Sequence, residues 1–165
     1  MDSESQIERI DGIIQIHADY PTSEISKEQA VFLMSKIKEY NEPVAIVPYF
    51  SKRNVKTMLS LKSSGNYKIF SRHEFVAPSA SLKYISDITG KPIEELILGA
   101  GGMYGDICVS SFVMRSCEDY SVPENNDGTK GGVDAQIKAK KGIVLPDISF
   151  YFPNWANEFQ TFLKD

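Results

Sequence analysis

The chain has 165 residues, 42% of them hydrophobic and 24% charged, with a formal net charge of −4. This length suits one domain that buries a continuous core without disulfides or metals, and the ordinary composition excludes a wholly disordered, collagenous or coiled-coil protein. The acidic balance disfavours a polyanion partner, because nucleic-acid binders present basic faces that release phosphate counterions.

The first residues, MDSESQIERID, are acidic and polar, without the basic and apolar regions of a secretory signal. No apolar run approaches the ~20 residues that cross a bilayer. A cytoplasmic protein is the expectation. Cys108 and Cys117 are the only cysteines, too few for a disulfide framework, and both are expected to be free and mostly buried.

In chain order, Ile7, Ile10, Ile13, Ile14 and His17 recur at helical spacing, which predicts a short amphipathic helix ending before Pro21. Ser26 with Gln29 forms a capping box that opens a second helix, lined by Ala30, Leu33, Met34, Ile37 and Tyr40. Residues 43–50, apolar and β-branched between Pro43 and Pro48, predict a buried strand. Residues 51–62 fit either a helix or a strand. Residues 63–66 form a turn, and 67–75 alternate like a strand.

Residues 79–104 read as two short helices around a break at Thr89 and Gly90, followed by a glycine cluster. Residues 106–114, DICVSSFVM, carry apolar groups on both faces and predict a central strand. Residues 116–132 are polar and glycine-rich, which predicts a mobile loop. A strand over 143–152, interrupted at Pro146, leads to a closing helix with Trp155, Phe159, Phe162 and Leu163 on one face. Helices and strands mix without regular βαβ alternation. The expected class is therefore α+β: a single domain over 1–165, with a mixed or antiparallel sheet packed by N-terminal and C-terminal helices.

Three stretches invite chemistry. Residues 99–105, GAGGMYG, suggest a loop in which backbone amides approach a ligand, with Gly99, Gly101, Gly102 and Tyr104 as the contacts. Read as following a helix and opening a strand, however, the glycines lack the context of a dinucleotide fingerprint, and the Walker lysine is missing. Residues 81–97 have the spacing of a helix-turn-helix like that of phage-repressor regulators, but Glu94 and Glu95 would face the phosphate backbone. A nucleophile–base pair of a cysteine with His73 is conceivable. Cys108, read in an apolar strand, would have its thiol pushed up, so Cys117, near Arg115 and beside a loop, is the better candidate. His17 and His73 stand at no metal-ligand spacing, and neither a metal nor a cofactor is expected. Glu118, Asp119, Tyr120, Glu124 and Asp127 combine negative charge with an aromatic anchor and suit a basic protein partner.

The strand at residues 148–152 followed by residues 155–163, together with a glycine-rich turn at 100–105 before an apolar stretch, resembles the small bacterial immunity proteins of the SUKH superfamily. That resemblance implies an α+β domain without catalytic residues that blocks a toxin by covering its active surface. The leading expectation is a non-enzymatic immunity or inhibitor protein whose acidic surface meets a basic protein. A helix-turn-helix regulator, and a ligand binder or small enzyme built on residues 99–105, stand as alternatives.

Overall fold

The computed structural model describes residues 9–17, 39–49, 51–59, 67–71, 78–128 and 133–150. Six strands form one sheet: β1 (Gly12–Ile16), β2 (Val44–Val47), β3 (Tyr67–Ile69), β4 (Ile97–Met103), β5 (Cys117–Ser121) and β6 (Ala139–Phe150), in the order β3-β2-β1-β4-β6-β5. Every pairing is parallel. The class is α/β, and the expected mixed or antiparallel sheet is corrected.

The reason lies in burial. A parallel sheet is covered on both faces, so its strands need no polar alternation. All five residues of β1 are buried, which is why Ile13 and Ile14, at helix-like spacing in the sequence, belong to a strand. Two apolar layers flank the sheet. Ile13, Val44, Ile46 and Ile69 face α1 (Lys52–Leu59) through Val55, whereas Ile14, Ala45, Val47, Leu98 and Ala100 face α2 (Ser79–Thr89) and α3 (Ser110–Ser116) through Leu82, Ile85, Phe112 and Val113. Helices on both faces make the sheet doubly wound.

The expected second helix after Gly90 is a single 3-10 turn, Ile93–Glu95, and Ile97 already opens β4. Pro92 and a left-handed Gly90 (φ 72°) end α2 sharply. Asp11 then ties this connection to β1: its carboxylate accepts from Lys91 Nζ at 2.8 Å and from the Ile97 N–H at 2.9 Å. The helix-turn-helix therefore lacks its recognition helix.

The expected central strand at 106–114 is also corrected. It is a π-helical turn, Gly105–Val109, running into α3. Five of the seven residues of α3 are buried, Phe112 and Val113 with three serines, so it lacks the alternation of an apolar and a polar face that marks a surface helix. The small side chains of Ser110, Ser111 and Ser116 let it pack closely. Within the expected 116–132 loop, residues 117–121 form the edge strand β5.

Strand β6 carries Pro146, and the ladder with β4 shows how it is accommodated. Ala100 pairs with Val144, then Gly102 pairs with Ser149, so residues 145–148 bulge outside the ladder. A proline in a bulge forfeits no ladder hydrogen bond. Residues 26–38 of the helix expected over 26–41, the Trp155 helix and His73 lie outside the described residues. Of the SUKH-like segments, 151–163 lie outside them too, and the glycine run is a strand that leads into a helix.

Candidate active site at the carboxyl edge

In a parallel sheet all carboxyl ends share one edge. The chain builds β2 and β3 to one side of β1, then crosses through α2 to place β4 on the other side. In open α/β sheets ligands bind outside the carboxyl ends where the strand order reverses; here that point lies between β1 and β4.

Two uncommon backbone features meet there. His17, the residue after β1, has φ 53°, a left-handed conformation that costs a non-glycine residue free energy and clusters at functional sites. Its ring lies edge-on to Tyr49, just past β2, with centroids 5.0 Å apart. Beyond β4, the π-turn Gly105–Val109 is closed by the Val109 N–H donating to the Tyr104 carbonyl at 3.1 Å, and by the Ser110 hydroxyl donating to the Gly105 carbonyl. Single π-turns recur at functional sites. This one carries Cys108, half-buried.

The two thiols differ in setting. Burial pushes both up from the ordinary range. Cys117 is 2% exposed and reaches about 12 despite the charge of Lys138, which lowers it. For Cys108 burial acts alone, and the thiol is raised. Cys117 stands at the amino end of β5, away from the reversal, in contact distance of Gly142. Cys108 stands in the turn just past the carboxyl end of β4, half-buried against the core cluster, whereas Cys117 lies within that cluster.

Asp106, 2% exposed, precedes Cys108 in the same turn. Its carboxylate accepts from Asn125 Nδ2 at 3.0 Å and its carbonyl accepts from the Asp127 N–H at 2.6 Å. Sequence reasoning missed Asp106, Asn125 and His17 as site residues. The available signal was a glycine-rich run followed by an apolar one, if read as strand then helix.

The glycines of β4 are explained by packing. A Cβ on Gly99 would sit 2.5 Å from Leu145 Cδ1, and one on Gly101 would meet the Ile148 carbonyl, so both lie beneath the β6 bulge. Gly102 (φ 123°) brings β4 against the backbone of Ile16. These three are closed to a ligand, while Tyr104, 9% exposed, follows β4 at its carboxyl end.

Of the acidic residues, Glu118, Asp119 and Tyr120 lie exposed along β5, and Glu124 is exposed beyond it; Asp127 is half-buried against the π-turn. The structure thus gathers four of these five residues at one edge and turns the fifth to another task. A cavity of about 390 Å³ lies at the opposite, amino edge. Its Asp11 and Lys91 are bound to each other, which makes that hollow a by-product of the α2–β4 connection. Among the described residues no group of three His, Cys, Asp or Glu side chains is placed to hold a metal ion, and no helix is long and apolar enough to cross a membrane. The chain matches no family model, no curated protein and no solved structure.

Proposed function

We propose that this chain is a doubly wound α/β domain that binds a small molecule in the crevice between the carboxyl ends of β1 and β4, with Cys108 as its nucleophile. The observation that carries the reading is the π-turn holding Cys108 at the point of strand reversal. The placement rule is general to such sheets; the chemistry rests on this chain's own thiol. Because burial keeps that thiol protonated at neutral pH, nucleophilic attack needs a base. His17, on the neighbouring strand end, is the candidate. Two free thiols suit a reducing, cytoplasmic setting.

Alkylation of the native protein by iodoacetamide, read by peptide mass spectrometry, tests this. Cys108 should label roughly tenfold faster than Cys117, a factor worth about 1.4 kcal/mol, and His17→Ala should slow Cys108 several-fold without changing Cys117. Faster labelling of Cys117, or labelling of Cys108 only on unfolding, sinks the reading.

A second reading is favoured by the exposed acidic edge of β5: an immunity-type surface for a basic protein. Opposite charge speeds encounter and fixes register. Glu118→Lys with Asp119→Lys should then abolish salt-sensitive retention of basic proteins on the immobilised chain. Unchanged retention removes that reading.

A further inference from the structure

The connection from β5 to β6 returns the chain to the amino edge, and its described residues do so without forming a helix. Instead they follow the helical segment 105–116 along its length. Near its start, Asp127 and Asn125 bond to Asp106. In the middle, a Cβ on Gly128 would meet Met114 Sδ and lie 3.4 Å from the Ser110 carbonyl carbon. At the far end the Ala135 N–H donates to the Arg115 carbonyl at 3.0 Å, and Arg115 pairs with Asp134 at 2.9 Å. Asp106, Ser110 and Met114 are spaced four apart, so they form one stripe facing this strap. Cys108, two residues on from Asp106, is half-buried and packs against the apolar cluster that includes Leu98, Phe112 and Val113.

The strap also has its own fold at the carboxyl end. The Asn126 N–H and Nδ2 both donate to the Pro123 carbonyl, at 3.1 and 2.9 Å, and the Gly128 N–H donates to Asn126 Oδ1 at 3.3 Å. Asp106 fastens this preformed turn to the π-turn through both its side chain and its main chain.

We infer that Asp106 is a positioning residue: it clamps the preformed turn at residues 123–128 against the back of the π-turn and so holds the Cys108 thiol in its half-buried place. This rests on the proposal that Cys108 is the reactive group. Burying a carboxylate is costly unless hydrogen bonds hold it, whereas at Arg115 the strap is fastened by a main-chain bond and an ion pair to the exposed Asp134, with no buried carboxylate. The buried carboxylate stands at the turn that carries the thiol.

The test uses Asp106→Ala, Asp106→Asn and Asn125→Ala, the last on an exposed residue that leaves the helix untouched. Two readouts are taken: amide hydrogen exchange of Asp127, and iodoacetamide labelling of both thiols. Asp106→Ala and Asn125→Ala should speed Asp127 exchange and raise Cys108 labelling about fivefold or more, with Cys117 unchanged. Asp106→Asn keeps an acceptor for Asn125 and should stay within about twofold of the parent. Equal acceleration of both thiols would report general loosening and overturn the inference, as would unchanged Asp127 exchange in Asn125→Ala. Failure of the Cys108 reading itself shows separately, in the parent protein's labelling order.

Discussion

Gly102 sets the distance between the two strands that form the crevice. At φ 123° it adopts a conformation closed to other residues, and a Cβ there would collide with the Ile16 carbonyl, a backbone atom that cannot rotate away. Gly90 offers the contrast, being left-handed at φ 72° with nothing within 4 Å of a Cβ. Gly90→Ala therefore carries only the left-handed penalty, about 1–2 kcal/mol. Gly102→Ala adds steric overlap to backbone strain and should cost about 3 kcal/mol or more. Urea denaturation of the two variants measures the difference. Equal losses would show that β1 and β4 can separate at small cost, and the crevice would then not be a rigid one.

At the scale of elements, what could be read from the sequence depended on whether local pattern and tertiary burial agree. β2 was legible because Pro43 and Pro48 bracket an apolar, β-branched run that neither a helix nor a loop accommodates. α2 was legible from Leu82 and Ile85 and from the glycine that ends it. The segment 105–116 was not: Ile107, Val109, Phe112 and Val113 favour strands, and only burial of the whole helix makes them helical. Together with β1 read as a helix and a second helix expected after Gly90, this turned β4 into a turn and hid the βαβ order on which the parallel sheet depends. The glycine run has a packing reason that the sequence did not show, since Gly99 and Gly101 yield space to the β6 bulge. The acidic residues of β5 were found as a surface, and the strand adds a detail: the Tyr120 N–H is taken by the carboxylate of Asp119 at 2.9 Å. An edge satisfied by its own side chain discourages an added strand, so a partner there would meet side chains.

For the whole molecule, the thiol in the core links folding to pH. Cys117 belongs to the cluster that joins α3, β5 and β6, and burial raises it from 9.0 to about 12. The unfolded chain releases this proton from about pH 9, whereas the folded chain keeps it. Between those values the unfolded state binds fewer protons, so stability falls as pH rises, by at most about 1.4 kcal/mol per pH unit for this group. The contribution is fully present below pH 9 and disappears towards pH 12. Cys108 is raised as well and adds to the slope, and Tyr40 and Tyr84, also raised, join as the pH approaches their ordinary value of 10.0. Comparison with a variant lacking the Cys117 thiol isolates its share. Urea unfolding under reducing conditions at pH 8, 9 and 10 should show stability declining in the parent protein and a visibly flatter decline in Cys117→Ala, whatever that variant loses at pH 8 from its smaller side chain. Parallel declines would mean that the thiol ionises alike in both states, which a core position between α3 and β6 does not allow.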